Sequence, residues 1–119
     1  MRYFNLTHLF NAARYSLQGL GHVTRHEQAF RHEVVVLFVQ IIILALTRPG
    51  LGISLLVIGA WVGVMIVELL NSSLECALDL ITLERNPLVG RAKDMASAAV
   101  FLAVVLNVLL WAWLIFFLY

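Results

Sequence analysis

Seventeen consecutive residues, Leu51–Val67, carry no charge and no strong polar group, and Glu68 follows them directly. Crossing the hydrocarbon core of a bilayer takes about 20 apolar residues in a helix. A run of this kind is too continuous for one face of a soluble helix, where apolar and polar positions alternate every three or four residues. Two further blocks have the same character. Val34–Leu46 is thirteen residues long, short for a span, so its helix is expected to begin near Ala29 with Arg31 and Glu33 at the headgroups. Met95–Tyr119 is a full span of twenty-five residues, with only Ser97 and Asn107 as notable polar groups and Trp111, Trp113 and Tyr119 near one interface. Hydrophobic residues make up 62% of the chain, against about 45–50% in soluble domains. Lipid offers the backbone no hydrogen-bond partners, so such blocks must be helices.

The sequence therefore predicts an all-α integral membrane protein, a single membrane domain over residues 1–119. Three transmembrane helices are expected at about 29–46, 51–84 and 91–119. An N-terminal amphipathic surface helix is expected at about 4–20. There Leu6, Leu9, Phe10, Ala13, Leu17 and Leu20 recur at steps of three and four, with Arg2, His8, Asn11, Arg14 and Gln18 between them. That pattern suits a helix lying flat in the interface. Gly19 and Gly21 are expected to end or bend it. Thr47-Arg48-Pro49-Gly50 reads as a tight turn. After it, no breaker intervenes until Asn86-Pro87 and Gly90, so the second span should continue to about Glu84. The first thirty residues lack a continuous apolar core, and no cleavable signal peptide is expected.

Positive charge sets the orientation. Arg2, Arg14, Arg25 and Arg31 precede the first span, Arg85, Arg91 and Lys93 lie between the second and third, and only Arg48 lies between the first and second. By the positive-inside rule the N-terminus and the second loop of this multi-pass chain face the cytoplasm and the C-terminus lies outside. The net charge of +1 has no basic cluster behind it, so nucleic acid is not an expected partner. The single Cys76 cannot form an internal disulfide and reads as a packing residue. Gly59 and Gly63 form a GxxxG pair, and Ala92, Ala96, Ala99 and Ala103 a small-residue face, both of which permit close helix approach in lipid.

Chemistry is expected at the end of the second block. At about 100° per residue, Glu68, Asn71, Ser72, Glu75 and Asp79 lie within about 60° of one line along the helix. Like charges on one helix face repel, so a metal ion or a basic partner should compensate them. Acids at the edge of a span are costly and usually functional. A second polar cluster, Arg91, Lys93, Asp94 and Ser97, precedes the third block at a similar depth. A cation beside carboxylates is what a phosphate–Mg²⁺ complex requires. The plainer reading makes Arg91 and Lys93 positive-inside anchors and Asp94 a charge at a helix N-terminus.

Two long motifs carry a resemblance. Glu68-Leu-Leu-Asn71-Ser72-Ser-Leu-Glu75-x-x-x-Asp79, followed by Gly90-Arg91-Ala-Lys93-Asp94-Met-x-Ser97-Ala-Ala-Val, resembles the signature of the prokaryotic diacylglycerol kinases. Ala12-Ala13-x-Tyr15-Ser16-x-x-Gly19-Leu and Glu27-x-Ala29-Phe30-Arg31-x-Glu33 are similar as well. The resemblance implies a homotrimer of three-span subunits with active sites between subunits at the membrane–cytoplasm interface. It implies transfer of the γ-phosphate of ATP to a lipid hydroxyl, with Mg²⁺ as cofactor. By matched position Glu68 is the general base, with Asn71 positioning the acids, and Glu27 and Glu75 hold the metal. Tyr15, Glu27, Glu75, Glu84, Lys93 and Asp94 line the nucleotide; Ala13, Ser16, Ala29, Arg31, Glu68 and Ser97 line the lipid. His8 stands where an Arg on the nucleotide is common in the family, Asn11 where a Lys is common, and Arg85-Asn86 where an aromatic–His pair is common. Arg14 and Arg85 could restore the missing positive charge. The implied acceptor is diacylglycerol, giving phosphatidate, with undecaprenol the alternative within the family. Two readings from other classes stand beside this one. A small ion-coupled transporter would place its key acid near the bilayer midplane. A non-catalytic assembly subunit would pair the acidic stripe with Arg91 and Lys93 of a neighbour.

Overall fold

The structure, a computed structural model, describes residues 5–118. Arg2 and Tyr119, used above for orientation and the aromatic belt, lie outside the described residues. Four helices follow in order: α1 Leu6–His26, α2 Gln28–Thr47, α3 Leu51–Ile81 and α4 Pro87–Leu118. α2, α3 and α4 are each long and apolar enough to cross a membrane. α1 separates a polar from an apolar face, whereas α2 and α4 are apolar nearly all round. α3 packs on α4 and α2, and α1 on α2.

The junctions explain where each helix stops. Asn5 caps α1, its side chain accepting from Thr7 N–H at 2.9 Å. Gly19 and Gly21 do not end α1, which runs through both to His26. A helix-interior glycine costs about 1 kcal/mol relative to Ala, too little by itself to break a helix of this length. The break falls at Glu27, the one residue between α1 and α2, in extended conformation (φ −110°, ψ 112°). Its N–H still donates to Val23 O at 2.8 Å. Arg31, one turn into α2, reaches back and donates through Nη1 to Thr24 O (3.2 Å) and Arg25 O (2.8 Å). These are carbonyls left over at the end of α1, so a cation closes that helix.

The α2–α3 turn matches its sequence signal. Arg48 takes the left-handed conformation (φ 49°) and Gly50 a positive φ of 106°, the backbone region in which only glycine is unstrained. α3 stops at Ile81, before Glu84. Thr82 is extended, and its hydroxyl accepts from Glu84 N–H at 3.0 Å. Asn86 and Pro87 then start α4. Asn86 Oδ1 accepts from Leu88 N–H (2.9 Å) and Val89 N–H (3.4 Å), and Gly90 N–H donates to Asn86 O (2.9 Å). That is an Asn N-cap followed by Pro at the first helical position. Gly90 lies inside the helix.

The protein interior is small. Leu44, Val57 and Leu114 form one buried cluster at the end remote from the acids, supported by Ile53, Ile58, Leu110 and Trp111. Val64 is buried between that cluster and Glu68. Two hydrogen bonds from side chain to backbone tie the spans together: Trp61 Nε1 donates to Glu33 O at 2.8 Å, and Asn107 Nδ2 to Ala60 O at 3.0 Å. Most other large apolar side chains face outward. A Cβ added at Gly59 or Gly63 would meet nothing within 4 Å, so the GxxxG face makes no close contact within this chain.

The cap on α4 can be measured. Asn86→Ala is expected to lower unfolding stability by about 1 kcal/mol, with Asn86→Ser close to wild type. Equal stability of the Ala and wild-type proteins would show that the cap contributes nothing.

Candidate active site

The acidic face of α3 passes from buried to exposed. Glu68 is 8% exposed, Asn71, Ser72 and Glu75 are half-buried, and Asp79 is exposed. Glu68 follows the fully apolar turns of α3, with Val64 buried one turn before it. Asn71 Oδ1 is buried without a hydrogen-bond partner. A cleft of about 500 Å³ opens between α1 and α3. Its α1 side holds His22 and Val23, its junction side Glu27, and its α3 side Ser72, Glu75 and Asp79.

The extended conformation at Glu27 places a second carboxylate on this cleft. In an unbroken helix the residue would continue the face of α1; the break turns α2 away and leaves Glu27 lining the cavity opposite Glu75. Glu75 and Glu27 are both within Coulombic reach of Glu68, as Glu68 is of Glu33. Glu33 Oε2 is itself buried without a partner.

The nearby cations have other partners. Lys93 Nζ donates to Asp79 Oδ1 at 2.9 Å, with Glu75 also in its field. Arg31 is engaged by the α1 carbonyls, and Arg25 Nε donates to Gly21 O at 3.2 Å. Glu27, Glu68 and Glu75 thus form a concentration of negative charge with no direct ion pair among the described residues. No group of three or more His, Cys, Asp or Glu side chains there is arranged to hold a metal ion by itself. The donor set is a pair of carboxylates on an open cleft. That set fits Mg²⁺, which keeps several waters and is held by one or two carboxylates together with substrate phosphates.

Of the residues singled out in the sequence, Glu27 and Glu75 line the cleft, while Glu68, within Coulombic reach of both, and Asn71 stand beside it on α3 without lining it. Lys93 reaches its edge through Asp79, which lines the cleft. His8, Tyr15, Glu84 and Asp94 do not line it. Tyr15 is exposed on α1, with the Arg14 guanidinium 5.6 Å from its ring centre. Glu84 lies beyond the end of α3, and Asp94 is exposed on α4. Of the lipid-side residues, Ala13, Ser16, Ala29, Arg31 and Ser97 are exposed, and Ser16 Oγ donates to Ala12 O at 2.9 Å. Three features escaped the sequence reading. His22 lines the cleft and stacks on His26 with ring centres 4.2 Å apart; two histidines four apart were the available signal. Asp79 holds Lys93, and nothing local in the sequence pairs residues fourteen apart. Glu33 lies beside Glu68 rather than simply at the headgroups, and an acid at the head of an apolar block was its signal.

Known proteins bear on this geometry. The model of the family described as prokaryotic diacylglycerol kinase matches residues 14–115. A diacylglycerol kinase of Haemophilus influenzae is 44% identical over 94% of this chain and 95% of its own length. The diacylglycerol kinase of Pseudomonas aeruginosa is 41% identical over 90% of this chain and 87% of its own. That of Escherichia coli K12 is 40% identical over 88% and 86%. With the family model spanning most of its length and relatives this similar from end to end, the chain belongs to the prokaryotic diacylglycerol kinase family.

Proposed function

We propose that the protein is an ATP- and Mg²⁺-dependent lipid kinase that phosphorylates diacylglycerol to phosphatidate at the cytoplasmic face of the bacterial inner membrane. The observation that carries this reading is the position of Glu68: a buried carboxylate at the last apolar turn of α3, next to a cleft walled by three more carboxylates, Glu27, Glu75 and Asp79. A lipid hydroxyl reaches that depth from the bilayer, and a nucleotide reaches the cleft from water.

In the reaction, the lipid hydroxyl oxygen forms a bond to the γ-phosphorus. The bond from that phosphorus to the β–γ bridging oxygen breaks, ADP leaves, and the hydroxyl proton passes to the Glu68 carboxylate. Glu75 and Asp79 lie about 10 and 16 Å farther along α3 by helical rise, beyond the reach of direct proton transfer. Asn71, one turn from Glu68 with a free buried oxygen, positions the acids and accepts a hydrogen bond from the incoming hydroxyl or its water. Glu27 and Glu75 would hold the metal. Mg²⁺ supplies charge neutralisation on the phosphates, the main electrostatic demand of phosphoryl transfer. Lys93, kept beside the cleft by Asp79, adds positive charge on the phosphate side. Tyr15, Glu84, Asp94 and His8 form the outer nucleotide contacts, and Ala13, Ser16, Ala29, Arg31 and Ser97 the lipid side.

These outer residues lie away from the cleft of a single chain, and sites shared between subunits of a homotrimer would bring them in. The open Gly59/Gly63 face supports close helix approach between chains. Undecaprenol is the alternative acceptor, and a kinase assay offering both lipids side by side separates the two.

Glu68→Gln keeps the volume and removes the proton acceptor. It is expected to bind ATP and assemble normally while kcat falls by a factor of about 10²–10⁴. A stable variant with near-wild-type kcat would remove Glu68 from the mechanism. Glu75→Gln is expected to weaken Mg²⁺-dependent ATP binding and abolish turnover; unchanged Mg²⁺ dependence would sink the metal assignment. A reporter active only in the cytoplasm, fused after Tyr119, should stay silent, since the basic residues place that end outside.

A further inference from the structure

His22 stands on the wall of the acidic cleft and has no task in the proposed phosphoryl transfer. Three carboxylates, two serines and one cysteine line the same cleft, and His22 is the only lining residue whose side chain carries nitrogen. A fixed platform holds its ring. His26, one turn on, stacks against it, with ring centres 4.2 Å apart and planes 22° from parallel. His26 Nδ1 lies 2.9 Å from His22 O. A carbonyl oxygen only accepts, so that nitrogen carries a proton and pins the His26 ring to the helix. His22 is exposed, and no hydrogen bond engages its ring among the described residues. Gly19, one turn before, lines the same cleft, and a Cβ added there would meet nothing within 4 Å. The wall beside His22 is therefore open.

Carboxylates repel a phosphate; holding one takes N–H or O–H donors. Lys93 is engaged by Asp79. Imidazole keeps at least one N–H donor whether it is neutral or charged. His22 is not suited to the metal itself, because Mg²⁺ takes oxygen ligands. It lies five positions before Glu27, about 7 Å along α1 by helical rise. That spacing sets it outside the coordination shell of a metal held by Glu27 and Glu75, and within reach of a phosphate chain bound to that metal.

We propose that His22 is a further nucleotide-contacting residue, its imidazole N–H donating to a phosphate oxygen of the bound nucleotide. The proposal rests on the lipid-kinase reading of the cleft. It adds the C-terminal end of α1 to the elements that hold the phosphates.

The full-length protein in lipid–detergent micelles tests this with two variants of similar size. His22→Leu keeps an apolar contact for the His26 ring and has no donor. His22→Gln carries an N–H donor close to the place of Nε2. Binding is read by displacement of a fluorescent ATP analogue in Mg²⁺ buffer without diacylglycerol, with ATP and inorganic tripolyphosphate as competitors. In His22→Leu both are expected to bind about tenfold more weakly, the loss of one hydrogen bond to a charged group. The KM for ATP is expected to rise in parallel, and His22→Gln to recover most of both. Weaker ATP binding with unchanged tripolyphosphate binding puts the contact on the nucleoside and overturns the proposal. Equal affinities in the wild type and both variants overturn it too. So does an equal loss in Leu and Gln that follows a loss of thermal stability, which marks a merely structural histidine. Should His22→Leu fail to assemble, His22→Ala takes its place against Gln. A wild-type protein that phosphorylates no lipid removes the reading on which the proposal rests; wild-type turnover with any of the overturning results removes His22 alone.

Discussion

Placing a carboxylate at the edge of hydrocarbon is the constraint on which the rest of this structure depends. Glu68 is buried, and Glu75, Glu27 and Glu33 are all close enough to raise the cost of its charge or to share the cost with it. A membrane protein gains little by grouping acids in this way for stability alone, because breaking water contacts to a charge costs several kcal/mol. The basic side chains nearest the group are engaged elsewhere: Lys93 by Asp79, Arg31 by the end of α1. The site is therefore complete only when something positive arrives from outside the chain. The metal–nucleotide complex of the proposed reaction would meet that need, on the aqueous side of a residue that the lipid would approach from the other.

Two contacts control where those acids stand. The Trp61 indole fixes α2 against α3 through the Glu33 carbonyl. Six residues before Glu33 the chain breaks at Glu27, about 9 Å away by helical rise. Arg31 stabilises that break by closing the carbonyl end of α1. The position of Glu27 opposite Glu75 thus follows from a clamp on one side and a helix stop on the other.

The architecture was legible because hydrocarbon solvent leaves few choices: three apolar blocks of this length must be three helices, and they are. The acidic stripe was legible for a similar reason, since a helix period places Glu68, Asn71 and Glu75 on one face. What escaped was set by single contacts between residues distant in sequence. Glycines at 19 and 21 looked like the end of α1, yet the end is at Glu27, where nothing in the residue itself signals it; the cause is Arg31 reaching back. Asn86-Pro87 read as a stop and is in fact a start, because the same two residue types cap a helix N-terminus. Asp79 as the partner of Lys93 depends on how α3 and α4 are staggered, which no local pattern records.

The small interior completes the physical account. Few apolar side chains are buried against one another, and the fully enclosed ones, Val57 and Val64, are not large. In water such a chain could not hold its helices together; in a bilayer it need not, because each helix is already formed by its own backbone bonds and solvated by lipid. What remains for tertiary structure is alignment, and directional contacts do that with little area. Trp61 to Glu33 and Asn107 to Ala60 set α2 and α4 against α3 at defined depths. A polar side chain inside a membrane costs free energy wherever it points, so a fold that keeps Asn107 there to register α4 on α3 leaves an acceptor over, its Oδ1. Registry and an unpaired buried oxygen are, in this protein, two results of the same amide.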